Sequence, residues 1–170
     1  MVKKLYLIRH AKSSWDNLAL DDFDRPLNSR GEKDAPKMGK RLQDKKIAPD
    51  VIVTSPAKRA LDTCLIIIKF LSFPKEKISV DKRLYHASEE ELLRVIRELK
   101  DHPNDEEENV LLFGHNPGLT NFANQLLNEH IQNIPTTGIV VASLSIKKWQ
   151  EIDWGCGKLL FFDFPKSKED

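Results

Sequence analysis

The chain has 170 residues, of which 40% are hydrophobic and 31% charged, and its formal net charge is +1. This length and composition predict a single globular domain, residues 1–170, located in the cytoplasm, and they exclude a disordered chain. Because Lys and Arg are spread along the sequence and no apolar run is long enough for a signal peptide or a bilayer span, we expect neither a nucleic-acid nor a membrane partner.

The first predicted strand ends on two side chains that suit a functional site. Residues 5–8 are bulky and apolar, which is typical of a short buried strand, and Arg9 and His10 follow directly. Open α/β sheets bind ligands just outside the carboxyl ends of their strands. Arg offers a planar fork for phosphate or carboxylate, and His offers a nucleophile or a proton carrier. On this dipeptide alone, an ordinary surface Arg-His pair at a strand end is an equal alternative.

A polar and acidic segment, residues 12–28, comes next and is predicted to lie as a loop over the end of the sheet. Such a loop can deliver Arg25 to the strand ends. Asn28 is the predicted N-cap of the first helix.

The second predicted strand, residues 50–54, leads into a helix that carries a further arginine. Ser55 is its predicted N-cap and Pro56 its first residue, with Arg59 in the first turn. Helical side chains lean toward the N-terminus, so the guanidinium of Arg59 should point back over the strand end. Because the helix dipole disfavours a cation there, we interpret Arg59 as a contact for an anionic ligand rather than as a solvated residue.

The pattern of the first strand recurs at the fourth. A third strand at residues 77–81, a helix with a capping box at Ser88 and Glu91, and an acidic run at residues 105–108, expected to be a solvated loop, precede it. Residues 109–113 are then predicted to form a strand buried on both faces, which ends at Gly114 and His115. Asn116 is the predicted cap of the helix that follows, with Pro117 at its first position.

The last two predicted strands, residues 139–144 and 159–164, are joined by a hairpin-like link, so one of them is expected to be an antiparallel edge strand. The charged tail, residues 165–170, is expected to fray. The whole chain therefore predicts an α/β fold, a doubly wound, mostly parallel sheet flanked by helices.

In such a sheet the strand ends converge, and they would gather Arg9, His10, Arg59 and His115, with Arg25 from the loop. Two helix N-termini point to the same place, so the predicted pocket suits a multiply charged tetrahedral anion, a phosphoryl group. No acidic cluster resembles a magnesium site, and Cys64 and Cys156 are too few for a disulfide framework or a metal centre. We expect no metal and no cofactor.

Four motifs in order resemble the histidine phosphatase superfamily, with its phosphoglycerate-mutase-like fold. They are Arg9–His10–Ala11, Arg25–Pro26–Leu27 with Arg30–Gly31, Ser55–Pro56 with Arg59, and Gly114–His115–Asn116–Pro117–Gly118. The chain is most similar to the small phosphohistidine phosphatase branch (SixA type). The resemblance implies that His10 is a nucleophile that becomes phosphorylated and that Arg9, Arg59 and His115 hold the phosphoryl group. Arg25 and Asn116 are further candidate phosphate contacts.

The sequence departs from the family pattern in two places. Ala11 stands where Gly is more usual, and the Glu proton donor that larger members carry after the third strand has no clear counterpart in residues 84–87. His86 and Glu89 are candidate donors, although His86 is also interpreted as a structural or rim residue. Without a clear proton donor, the enzyme should favour a leaving group that needs no protonation, such as imidazole, over an alkoxide.

These features predict a metal-independent phosphatase that acts through a phosphohistidine intermediate, with His10 kept neutral by the adjacent guanidinium groups. The expected substrate is phosphohistidine on a protein, such as a histidine phosphotransfer protein, which would dock near Trp15, Tyr85 and His86. A broad phosphomonoesterase acting on small phosphorylated substrates is one alternative. A non-catalytic phosphate-binding or phosphoprotein-binding module is another.

Overall fold

A six-stranded sheet flanked by four helices forms the core of the computed structural model, which describes residues 2–102 and 106–167. The strands are β1 (Val2–Arg9), β2 (Val51–Thr54), β3 (Ser79–Val80), β4 (Glu107–Gly114), β5 (Ile139–Leu144) and β6 (Gly157–Asp163). The helices are α1 (Ser29–Asp44), α2 (Lys58–Ile68), α3 (Glu89–Arg97) and α4 (Gly118–Leu127). The strand order across the sheet is β3-β2-β4-β1-β5-β6, so β1 and β4 are central.

The pairing of the strands confirms the predicted mixed sheet. β1 pairs in parallel with β4, β4 with β2, and β2 with β3. β5 pairs antiparallel with β1, and the edge strand β6 pairs antiparallel with β5. Because β1, β2 and β4 run in the same direction, their carboxyl ends meet at one edge of the sheet.

Side chains of β1 point alternately to the two faces of the sheet and contribute to the core on both sides. Leu5 and Leu7 pack in the layer that contains α3 and α4, whereas Tyr6 and Ile8 pack in the layer that contains α1 and α2. All four are essentially inaccessible to solvent. A run of consecutive apolar side chains, as at residues 5–8, is expected when helices cover both faces of a sheet.

Two helix starts agree with the sequence and two do not. Asn28 accepts a hydrogen bond from Gly31 N, and Ser88 forms the predicted capping box with Glu91. α2 starts at Lys58, so the prediction that Ser55 caps it was wrong by two residues, because the Ser55 hydroxyl accepts from Ala57 N before the helix begins. α4 starts at Gly118, not at Pro117 as predicted, because Pro117 occupies the N-cap position.

The amino-terminal ends of β1 and β4 carry a buried ion pair that corrects a second prediction. Glu107 and Glu108 belong to β4 rather than to a solvated loop, and Asp105 lies outside the described residues. Lys3 of β1 lies 2.6 Å from Glu108 in a fully buried salt bridge. Glu108 also accepts from the indole of Trp149 at 2.9 Å and contacts His102 at 3.0 Å. The acidic run therefore supplies a counter-charge inside the fold.

The carboxyl-terminal segment is tied to α1 as far as it is described. Arg41 donates to the carbonyl oxygens of Phe164 and Ser167 at 2.9 and 3.1 Å. The predicted fraying was therefore wrong for residues 165–167, and residues 168–170 lie outside the described part. No helix among the described residues is both long and apolar enough to cross a membrane.

Candidate active site

The end of β1 holds the two residues that the sequence singled out. Arg9 N donates to Gly138 O at 3.0 Å and His10 N donates to Gly114 O at 3.2 Å, so the backbone is fixed from the neighbouring strands on both sides. Thr137 N returns a hydrogen bond to the carbonyl oxygen of His10 at 3.0 Å. The position of the imidazole is therefore set by the centre of the sheet rather than by a loop.

The imidazole of His10 is held in one tautomer. His10 Nδ1 lies 2.7 Å from the carbonyl oxygen of Ala11, and a carbonyl can only accept, so Nδ1 carries the proton. The lone pair is then on Nε2. Burial, together with the cations of Arg59, Arg9 and Arg25, lowers the pKa of His10 to about 4 although the Ala11 hydrogen bond opposes this. At neutral pH the ring is uncharged and able to act as a nucleophile.

His115 lies beside His10, as the recurrence of the strand-end pattern predicted. The two ring centroids are 5.2 Å apart, and His115 Nε2 is 2.7 Å from the hydroxyl oxygen of Ser55. Its Nδ1 is buried and has no hydrogen-bond partner among the described residues. Burial, with the neighbouring His10 and Arg59, lowers the pKa of His115 to about 3.

Arg9 faces the same place with part of its hydrogen-bonding capacity unused. Its Nη1 donates to Ile134 O at 2.9 Å, while its buried Nε has no partner within the described chain. Burial and the nearby Arg59 cation lower the pKa of Arg9. Buried donors without partners are costly, so an anion that accepts from them would be favoured.

Arg25 and Arg59 complete the cationic cluster and share one counter-ion. Arg59 Nη2 is 3.0 Å from Asp22 Oδ2, and Arg25 Nη1 is 2.8 Å from Asp22 Oδ1. Arg25 also donates to Ser14 O at 3.0 Å and to the hydroxyl of Ser13, and it stacks on Trp15 at 3.3 Å. The loop of residues 12–28 thus delivers Arg25, as predicted, but it also delivers a carboxylate.

A cavity of about 230 Å³ opens over these groups. Its lining residues are Arg9, His10, Lys12, Ser13, Trp15, Arg25, Arg59 and Thr136. Four of these eight side chains are cationic at neutral pH, so the cavity suits an anion. A tetrahedral oxyanion is well matched to several guanidinium donors.

Asp22 contacts Tyr85 beside the cationic cluster, and the sequence predicted neither this contact nor any role for Asp22. The Tyr85 hydroxyl donates to Asp22 Oδ2 at 2.7 Å, and the Tyr85 ring packs edge-on to His115 at 5.6 Å. Desolvation acts to raise the pKa of Asp22, but hydrogen bonds from Tyr85, Arg25 and Arg59 outweigh it and hold that pKa well below its usual range. The signal in the sequence was only an acidic loop, in which Asp21, Asp22 and Asp24 look alike.

The remaining candidates occupy different places. His86 is exposed at the rim, stacks on Tyr85 at 4.0 Å, and places Nε2 3.5 Å from Asp22 Oδ2. Glu89 lies outside the cluster, in the first turn of α3, where it accepts from Gln125 at 3.3 Å.

Asn116 has a structural environment rather than the predicted phosphate-binding one. Its amide nitrogen donates to Asn133 Oδ1 and Ile134 O, both at 2.9 Å. Its amide oxygen accepts from Thr120 N at 3.1 Å, which caps α4 from outside its first turn. These contacts use the side chain within the loop, so Asn116 is not available to a ligand in this arrangement.

The departure at Ala11 is accommodated. Its methyl group is fully buried and packs with Leu27 and Ala35. Within residues 2–102 and 106–167, no group of three or more His, Cys, Asp or Glu side chains converges as metal ligands would.

The fold and the site define an α/β protein with a cleft lined by cationic side chains at the carboxyl ends of its central parallel strands. This chain belongs to the histidine phosphatase superfamily, because the model of that family (branch 1) matches residues 5–89, half of the sequence. The match includes Arg9, His10, Arg25 and Arg59.

Relatives in sequence cover a shorter segment. An uncharacterized chloroplastic protein of Arabidopsis thaliana is 46% identical over 61 residues, which are 36% of this chain and 28% of that protein. Phosphoglycerate mutase 1 of Saccharomyces cerevisiae is 38% identical over 68 residues, 39% of this chain and 28% of the yeast protein. The similarity thus spans under a third of the length of these relatives.

Similar solved structures cover nearly the whole chain. A protein from Agrobacterium tumefaciens assigned as the phosphohistidine phosphatase SixA has a TM-score of 0.77 at 27% identity, covering 95% of this chain and 97% of its own. The protein histidine phosphatase SixA in complex with tungstate has a TM-score of 0.78 at 21% identity, covering 95% and 97%. At 21% identity, the similarity to the tungstate complex shows a shared fold only.

Proposed function

We propose that this protein is a phosphatase in which His10 attacks phosphorus and becomes transiently phosphorylated. The observation that carries the proposal is the hydrogen bond from His10 Nδ1 to Ala11 O, at 2.7 Å. It leaves a free lone pair on Nε2 of an uncharged ring, inside a cleft lined by guanidinium groups. A pure binding site for phosphate has no need of a nucleophile held in this way.

The chemistry proceeds in two displacements. In the first, Nε2 of His10 forms a bond to phosphorus while the bond from phosphorus to the leaving group breaks, and the leaving group keeps the electron pair. In the second, water attacks phosphorus, the Nε2–P bond breaks, and neutral His10 and dihydrogen phosphate result. Arg9, Arg59 and His115 contact the equatorial oxygens, where charge is greatest, and Arg25 supports them.

Phosphohistidine is the proposed substrate because transfer between two imidazoles needs no external acid. A phosphohistidine whose other ring nitrogen is protonated releases a neutral imidazole, whereas an alkyl phosphate releases an alkoxide that must gain a proton. Glu89 lies outside the cluster, and His86, at the exposed rim, stays a candidate donor. The similarity to proteins called phosphohistidine phosphatase and protein histidine phosphatase supports this choice.

A phosphorylated protein is the proposed partner, and the exposed apolar side chains around the cleft support this. Trp15 is 69% exposed and Leu18 is 91% exposed, and both lie on the loop that covers the strand ends. Truncating Leu18, which does not line the cavity, to Ala should slow dephosphorylation of a phosphorylated histidine phosphotransfer protein while hydrolysis of free phosphohistidine is retained. Equal rates on the protein before and after truncation would remove this surface from the proposal.

The decisive experiment replaces the nucleophile. His10→Ala should lower turnover by at least about 10⁴-fold, since removal of a nucleophile typically costs that much or more. Rapid quench with labelled substrate should trap an acid-labile phosphoryl group on His10 in the unaltered protein and none in the variant. His130→Ala, at an exposed histidine on the surface, is the matched control and should behave like the unaltered protein.

A comparison of substrates separates the alternatives. Faster hydrolysis of phosphohistidine than of an alkyl phosphate supports the proposal. Preference for small alkyl phosphates would indicate the broad phosphomonoesterase instead. Binding of phosphate without labelling of His10 would indicate the non-catalytic module.

A further inference from the structure

The carboxylate of Asp22 lies inside a cluster otherwise built for anions. Its Oδ2 accepts from Arg59 Nη2 at 3.0 Å and from the Tyr85 hydroxyl at 2.7 Å, and its Oδ1 accepts from Arg25 Nη1 at 2.8 Å. Arg59 Nη1 also donates to the backbone oxygen of Asp22 at 2.7 Å. Two cations that would hold a phosphoryl group therefore share a fixed negative charge that belongs to the protein.

One oxygen of this carboxylate has acceptor capacity to spare. Each carboxylate oxygen can accept about two hydrogen bonds. Oδ2 already receives two, whereas Oδ1 receives one, from Arg25, among the described residues. Since 39% of the Asp22 side chain is exposed, a donor on a bound molecule can reach it.

The direction of attack places this acceptor near the leaving group. His10, which lines the cavity, is only 8% exposed, whereas the Asp22 side chain is 39% exposed and is bonded to Arg25 and Arg59 of the same lining. In an in-line displacement the leaving group departs opposite the nucleophile. A leaving group displaced by the buried His10 therefore departs toward the solvent-exposed part of the site, and Asp22 is the exposed carboxylate bonded to its arginines.

We propose that Asp22 determines specificity by accepting a hydrogen bond from the N–H of a cationic leaving group, the imidazolium ring of a phosphorylated histidine. This inference rests on the proposed function. The proton stays on the far ring nitrogen throughout: the P–N bond breaks, its electron pair returns to the ring nitrogen, and neutral imidazole leaves still bearing its N–H. The carboxylate stabilises the protonated ring of the bound substrate, so no separate acid is required.

The same charge discriminates against anions that lack a positive group. A phosphate ester or free phosphate brings only negative charge to a site that already holds one carboxylate, and like charges at this range repel. Asp22 therefore weakens retention of the inorganic phosphate product. A phosphorylated imidazolium offsets this repulsion with its own cation.

The test removes the negative charge of Asp22 and compares two substrates that differ in their leaving group. Asp22→Asn should lower kcat/KM for free phosphohistidine roughly 10- to 100-fold, the usual effect of losing a hydrogen bond to a charged group. With 4-nitrophenyl phosphate, whose leaving group is an anion that needs no proton, kcat/KM should stay the same or rise. Calorimetric titration with inorganic phosphate should show tighter binding by roughly 10-fold.

Two further variants separate charge from structure. Asp24→Asn changes an exposed carboxylate in the same 3-10 turn and should match the unaltered protein in all three measurements. Asp22→Glu keeps the charge and should recover most of the preference for phosphohistidine.

Equal losses on both substrates in Asp22→Asn, together with weaker phosphate binding, would overturn the inference, because Asp22 would then only orient the arginines. An unaltered protein that prefers 4-nitrophenyl phosphate to phosphohistidine would overturn it too, while leaving phosphatase activity in place. An unaltered protein that hydrolyses neither substrate would instead refute the proposed function.

Discussion

The central strands β1 and β4 carry buried charged side chains at both ends, and the two ends differ in how completely these side chains are hydrogen-bonded. At the amino-terminal end, Lys3 lies opposite Glu108 in the register of the sheet, and the pair is completed by Trp149 and His102. At the carboxyl-terminal end, the residue opposite Arg9 is Gly114, which offers no counter-charge. The first cluster is complete within the protein, whereas the second leaves Arg9 Nε and His115 Nδ1 without partners in the described structure.

This difference shows how to tell a structural charge cluster from a binding site. A buried charge with a full set of partners stabilises the fold, or at least costs it little. A buried cation whose partners are missing has a cost that a ligand can recover. The completeness of the hydrogen bonds, rather than the presence of charge, distinguishes the structural end of the sheet from the end where we propose the active site.

The largest expected effect comes from breaking the complete cluster. Glu108→Gln removes the fully buried carboxylate that faces Lys3 and leaves only the partly exposed Asp101, 3.1 Å from its Nζ. The free energy of unfolding should therefore fall by about 3 kcal/mol, the lower end of the loss expected when a buried ion pair is broken. Urea denaturation measures this loss, and the kcat of the folded fraction should not change, since the cluster lies at the other end of the strands. Glu106→Gln, at an exposed neighbour, serves as control. A stable Glu108→Gln variant would remove the structural role.

The opposite result is expected at the incomplete cluster. Arg9→Met should lower kcat/KM roughly 10²- to 10³-fold, as expected for the loss of one preorganised donor. The free energy of unfolding should be unchanged or higher, because an incompletely bonded cation is replaced by an apolar chain of similar length. Arg94→Met, on the exposed face of α3, is the control. If Arg9→Met were strongly destabilised, the two ends would not differ as described.

The smallest expected effect is a pH dependence of the free energy of unfolding that is caused by His10 and His115. The pKa values of His10 and His115 are lowered to about 4 and about 3, against 6.5 in an unfolded chain. As pH falls below 6.5, the unfolded chain takes up protons that the folded chain does not, so the free energy of unfolding falls. By pH 5 the loss should be about 2 kcal/mol for His10.

Urea denaturation at pH 7 and pH 5 tests this window. His10→Ala should lose about 2 kcal/mol less than the unaltered protein between the two values, and His130→Ala should lose the same as the unaltered protein. Burial acts to raise the pKa of Glu108, but hydrogen bonds from Lys3, Trp149 and His102 outweigh it and hold that pKa below its usual value. The stabilisation from Glu108 is therefore present throughout this range and is lost only at lower pH. Identical pH dependence in His10→Ala would contradict the assignment of the proton uptake to His10.

The part of the site that the sequence predicted is the part that local rules determine. Arg9, His10 and His115 follow apolar strands directly, and parallel strands bring their carboxyl ends together, so their convergence follows from the chain order. Arg59 was placed correctly relative to the strand end even though its helix starts two residues later than predicted, because the lean of a helical side chain depends little on the exact first residue.

The contacts that were missed join distant segments with no periodic signal. Asp22 meets Arg59 across 37 residues and Tyr85 across 63, and nothing in the loop distinguishes Asp22 from Asp21 or Asp24. Glu108 was interpreted as solvated because charge runs usually are, yet Lys3 lies opposite it in the register of β1 and β4. In both cases the partner, not the residue itself, determines the role.

The hydrogen bond between His10 Nδ1 and Ala11 O has a consequence for how this centre tolerates variation. Its acceptor belongs to the main chain, so every amino acid at position 11 supplies the same oxygen atom. Exchange of Gly for Ala there changes the room available to neighbouring side chains, but the choice of reactive nitrogen is inherited from the peptide backbone. That choice is therefore insulated from mutation of residue 11 for as long as the strand end keeps its path.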